Sequence, residues 1–235
     1  MKNHLSWIIS IFFVFLFLPC VSAQIGIKAG IGVSDIGFKK WGQTPYLSYE
    51  VDYLEHEKPL LTYQFGVFST FKIGQRWEFQ PELLYIIKGI NYNKKFLYDD
   101  IIYKMNISYV ELPILVKYKI SKGKKLETAL FVAPYIAQKL SAFKITKYEG
   151  ILEKEKASNV KSQDIGVMAG CSFDFAKMMN IDFRLSYSLA NMMETLPDHV
   201  PQYGIHSEEY VRNINISLSI GYRLNNIFTK KQESR

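Results

Sequence analysis

The stretch Tyr109–Ile120, YVELPILVKYKI, alternates along its whole length. Val110, Leu112, Ile114, Val116, Tyr118 and Ile120 fall on one face, and Glu111, Pro113, Lys117 and Lys119 on the other. A period of two held over roughly ten residues marks a strand rather than a helix. Such a strand has one apolar face and one charged face, so the rest of the chain must decide which of them is enclosed.

Seven further runs share the pattern. They lie at 25–33, 61–73, 77–88, 126–139, 164–175, 181–189 and 213–224, the run at 126–139 being the least regular. The connections at 35–59, 92–104, 141–162 and 192–211 are long and polar, whereas those at 74–76, 121–125 and 176–180 are tight. Strict alternation of long and short connections is what an up-and-down barrel requires when both termini lie at its short-turn end. The expected fold is all-β: an eight-stranded antiparallel up-and-down transmembrane β-barrel. A secreted barrel would enclose its apolar face instead. Here the polar face carries the glycines and serines that a narrow lumen can hold. Trp77, Tyr118, Tyr187 and Tyr222 sit on the apolar face, as interfacial girdles do. Polar inside and apolar outside is the expectation.

The amino terminus reads as an export signal. Lys2 precedes the unbroken apolar run Ile8–Leu18, and Val21-Ser22-Ala23 offers small residues for cleavage. The run is shorter than the roughly 20 residues of a spanning helix, and Pro19 ahead of Cys20 disfavours lipidation. The expected organisation is a cleavable signal peptide at 1–23, the barrel at 24–224 and a polar tail at 225–235. Cleavage leaves Cys171 without a disulfide partner in a compartment that permits disulfides. With 29 Lys+Arg against 22 Asp+Glu, the chain carries +7 and a pI near 9.1. An exported chain without a basic helix does not suit nucleic acid. The basic balance suits outer-membrane lipid and lipopolysaccharide at the membrane rims.

Several motifs together resemble a known family. They are FQPELLYIIKG (Phe79–Gly89), YVELPILVKYKI (Tyr109–Ile120), APYI (Ala133–Ile136), DIGVMAG (Asp164–Gly170) and RLSYSLAN (Arg184–Asn191). In this order and spacing they are similar to the PorT-like outer-membrane β-barrel family common in Bacteroidota, over essentially the whole mature chain. The resemblance implies an outer-membrane location, insertion by the barrel assembly machinery and no shared catalytic residues. It also raises a part in type IX protein secretion, with secretion-apparatus proteins as partners. The chain departs from the usual aromatic ending of such barrels: SIGYRL closes the last run and a polar tail follows.

Candidate residues fall into two groups. Facing inward are Lys28, Lys72, Lys88, Lys117, Lys119, Lys139, Arg184 and Arg223, set against Glu78, Glu82, Glu111, Glu127, Asp164, Asp174 and Asp182. Their signs nearly cancel, so interstrand ion pairs can satisfy them. Glu82, Glu111, Lys117, Asp164, Arg184 and Arg223 are the lumen candidates, read as structural. The second group is in the first long connection, where Trp41, Tyr46, Tyr49, Tyr53 and His56 form an aromatic surface suited to a partner. His56, His199 and His206 all fall in predicted loops, so no strand carries the histidine a barrel hydrolase would need. Glu55-His56-Glu57 and Asp198, His199 and His206 lack the ligand spacing of a metal site. No enzyme activity, metal or cofactor is expected. The readings that remain are a structural or loop-binding barrel, a secretion component and a minor diffusion pore.

Overall fold

Among the described residues, alternating runs joined by tight turns produce ten strand segments in one antiparallel sheet. These are β1 (Gln24–Lys39), β2 (Glu57–Lys58), β3 (Leu60–Ile73), β4 (Trp77–Lys95), β5 (Asp100–Lys122), β6 (Leu126–Tyr148), β7 (Ile151–Lys156), β8 (Gln163–Phe175), β9 (Met179–Ser188) and β10 (Tyr210–Arg223). This computed structural model describes residues 24–39, 57–95, 100–123, 126–148, 151–175, 178–192 and 210–224. Trp41, Tyr46, Tyr49, Tyr53 and His56 lie outside the described residues, as do His199 and His206.

The sheet closes on itself. β1 pairs with β3 on one side and with β10 on the other, so Ala29 stands between Phe65 and Ile220. The ring runs β1-β3-β4-β5-β6-β8-β9-β10, a closed eight-stranded barrel. Closure leaves none of these strands with an open edge. β2 and β7 lie off the ring, paired with β4 and β6. The three tight turns lie at the end where the described chain starts and stops. At one of them Gly74 takes φ 65°, which glycine adopts without steric cost.

The faces follow the alternation. Ile31 is 63% exposed and Val132 61%, while Lys28, Glu82, Lys88 and Lys117 are buried. The polar face therefore lines the lumen. On the outside, Trp77 and Tyr118 lie 4.9 Å apart by ring centroid near the short-turn end, and Phe65 and Tyr85 lie 5.0 Å apart toward the other end.

Two long connections contain more strand than their polarity suggests. β4 and β5 pair as far as Lys95 and Asp100. β6 continues to Tyr148 and returns as β7. The connections at 92–104 and 141–162 are thus largely a twisted sheet that rises beyond the barrel. A register shift between Ser108 and Tyr109, opposite Lys139 and Ser141, marks the start of this extension on β5 and β6. The bulge inserts Leu140, after which odd-numbered residues of β6 face outward.

Candidate functional site

Because side chains alternate, four ring strands can aim charges at the same level of the lumen. Lys28 of β1, Glu82 of β4, Lys117 of β5, and Asp182 and Arg184 of β9 meet there, all buried. Arg184 donates from Nη1 and Nη2 to the two Glu82 oxygens at 2.7 and 2.8 Å. β4 and β9 stand on opposite sides of the ring, so this bidentate pair spans the lumen. Lys28 Nζ donates to Glu82 at 2.6 Å and to Asp182 at 2.5 Å. Arg184 Nη2 also reaches Asp182 at 2.7 Å. Lys117 stands 3.6 Å from Asp182 and donates to Ser172 at 3.1 Å. Three cations therefore share two carboxylates.

The next level up has the opposite balance. Lys88 of β4 pairs with Glu111 at 2.5 Å and with Asp164 at 3.4 Å. Its ammonium lies 4.3 Å from the Tyr135 ring centre and 5.6 Å from that of Tyr109. Asp164 also accepts from Tyr135 Oη at 3.2 Å and from the Ser188 hydroxyl. At the short-turn rim, Lys119 bridges Glu78 at 2.9 Å and Glu127 at 2.5 Å, and Arg223 pairs with Asp174 at 2.7 Å.

All six lumen candidates from the sequence are buried and take part in these contacts. Two further inward assignments lie at the two ends of the lumen. Lys72 stands opposite the buried Glu78 on the lumen face, but at the short-turn rim, where its side chain is exposed. Lys139 stands opposite the buried Tyr109 just before the bulge and donates to the Val160 carbonyl. A third outcome concerns the lipid face. Leu112 points outward as expected but is only 5% exposed, because Val67, Leu83 and Ile136 pack over it.

The sequence reading missed the apolar share of the lumen. Phe68, Tyr109, Leu115, Phe131 and Tyr135 are inward and buried. At the top, Val160 and Met192 pack with Met105 and Ile107 over the mouth. The glycines of the polar face were the available signal. A Cβ on Gly26 would lie 2.6 Å from Phe68 Cε1, and one on Gly170 would lie 2.6 Å from Phe131 Cζ. Each missing side chain is the space that an aromatic ring from a neighbouring strand fills.

A closed barrel with a polar, ion-paired interior and an apolar outer band flanked by aromatics defines a class: the outer-membrane β-barrel proteins. Sequence comparison agrees, since residues 21–194 match the family model described as outer membrane protein beta-barrel domain. The chain belongs to that family, and the protein resides in the outer membrane. No curated protein matches the sequence. Among solved structures, Neisserial surface protein A is similar, with a TM-score of 0.42 and 11% identity over 86% of this chain and 99% of that one. The attachment invasion locus protein Ail of Yersinia pestis gives a TM-score of 0.40 at 9% identity, over 86% and 99% of the two chains. OprG of Pseudomonas aeruginosa gives 0.39 at 12% identity, over 86% and 94%.

Proposed function

We propose that the protein is a non-enzymatic, plugged barrel that works through the surface it presents outside the cell. The observation that carries this reading is the Glu82–Arg184 pair, which bridges opposite walls at 2.7 and 2.8 Å. With Lys28 and Lys117 around it and the Val160–Met192 cover above, the lumen is filled by side chains. An eight-stranded barrel has just enough interior for that filling, which counts against a diffusion pore. The β4–β7 extension and the long connections are the parts available to a partner.

The test compares two variants in a strain lacking the gene, at matched outer-membrane abundance. One replaces residues 144–155 with a short turn; the other carries Glu82→Gln and Arg184→Met. Envelope permeability to a large antibiotic and the proteins released to the medium are measured. The reading expects the shortened variant to behave like the deletion and the lumen variant like the parent. The reverse pattern overturns it. A role in type IX secretion is the second reading, supported by the five motifs that resemble the PorT-like family. It requires that the deletion trap secreted precursors in the periplasm, and an unchanged secreted profile removes it.

A further inference from the structure

The strand β7 sorts its charges by face. In β7, ILEKEK, alternation puts Leu152, Lys154 and Lys156 on one side and Ile151, Glu153 and Glu155 on the other. Register carries this sorting across the sheet. Lys156 stands beside Phe143, Lys154 beside Ile145 and Leu152 beside Lys147, while Ile145 stands beside Lys104 on β5. Tyr109, Ile107 and Met105 of β5 are buried in the lumen, so the alternate position Lys104 faces out. Lys104, Lys147, Lys154 and Lys156 therefore share the outer face, continuous with the wall that meets lipid. Glu153 and Glu155 fall on the inner face, opposite Thr146 and Lys144. Lys154 Nζ lies 4.6 Å from the Phe143 ring centre, on that same outer face.

Height is the second observation. On β5 the outward apolar band runs from Ile120 to Val110, and Ser108, Asn106 and Lys104 follow it upward. Each two-residue step rises about 5 Å along the membrane normal once strand tilt is allowed for. The lysines thus begin about 10–15 Å above the band. Their stems can reach back toward it while the ammonium groups stay among headgroups.

We infer that this outer lysine shelf binds the phosphates of an anionic glycolipid in the outer leaflet, of the lipopolysaccharide type. A phosphorylated sugar headgroup supplies dense negative charge at that height, and β7 turns its own two carboxylates, Glu153 and Glu155, to the opposite face. The inference does not depend on the plugged lumen.

The test uses the full barrel in detergent, verified as folded by its unheated gel mobility. Bis-phosphorylated lipid A, dephosphorylated lipid A and phosphatidylcholine are titrated separately against three proteins. These are the parent, the combined Lys104→Ser, Lys147→Ser, Lys154→Ser and Lys156→Ser variant, and the Glu153→Gln and Glu155→Gln variant. A surface lysine near anionic lipid is worth about fivefold in affinity. The expected result is a preference of the parent for the phosphorylated lipid that weakens with added salt. The lysine variant should lose at least about tenfold, and the glutamine variant should match or exceed the parent. Equal binding of phosphorylated and dephosphorylated lipid A by the parent overturns the inference. So does a lysine variant that binds like the parent. Parent binding to a soluble acidic polysaccharide that lipid A does not displace also overturns it, in favour of an extracellular polymer.

Discussion

Removing the charge of Glu82 is the most informative single change in the lumen. Its carboxylate accepts from Arg184 at 2.7 and 2.8 Å, from Lys28 at 2.6 Å and from Gln80 at 2.6 Å. Glu82→Gln keeps the volume but leaves three buried cations with Asp182 as their one nearby carboxylate. Breaking a buried pair in this way costs about 3–5 kcal/mol, because the abandoned charges stay desolvated. Arg184→Met works in the opposite direction on the cluster's charge, leaving two cations for two carboxylates. Its cost is that of the lost charge-assisted hydrogen bonds, about 1.5–3 kcal/mol. The double variant should therefore be more stable than the summed singles imply, with a coupling of at least about 1 kcal/mol. Equilibrium urea unfolding of the barrel in lipid vesicles, followed by tryptophan fluorescence and unheated gel mobility, measures all four proteins. If Glu82→Gln lies within about 0.5 kcal/mol of the parent, or if the singles simply add, the network does not hold the lumen as described.

Other consequences are simpler to check. Val132, on the lipid face of β6, should tolerate arginine poorly: Val132→Arg is expected to cost about 2–4 kcal/mol in the same urea assay. Gly170→Val forces a side chain against the Phe131 ring and should lower stability by about 1–3 kcal/mol, seen as a lower thermal midpoint. Cys171 shares the outer face with Val167 and Ala169. It should resist a charged maleimide in vesicles and react fully once the barrel is denatured. Rapid labelling of the folded protein would place that face elsewhere.

Much of the barrel was legible because a period of two leaves so few options. Tyr109–Ile120 sorted its charges and apolar groups by face, and the alternation of long and short connections fixed strand number and direction. The charged lumen was legible for the same reason: Glu82, Lys117 and Arg184 each interrupt an apolar rhythm on the correct side. What the pattern could not convey was distance around the ring. Glu82 and Arg184 are 102 residues apart, and only closure brings β4 opposite β9. The inward aromatics were hidden because charges, glycines and serines alone marked the polar face, and Phe68, Tyr109, Phe131 and Tyr135 carry no such mark. Phe68 and Phe131 fit inside only where glycines on neighbouring strands vacate the room. Polar composition likewise disguised the β4–β7 extension as loop, since a sheet above the membrane has no apolar band to reveal it.

A shut lumen carries no ions, so conductance is the decisive property. Purified barrel would be inserted into a planar lipid bilayer and its conductance recorded over a range of voltages, with insertion confirmed by protease protection of the spanning strands. A lumen closed by side chains gives a trace indistinguishable from bare lipid. Steady, ohmic steps from the parent protein would contradict it, and would mean that the Glu82–Arg184 bridge lines a path instead of closing one.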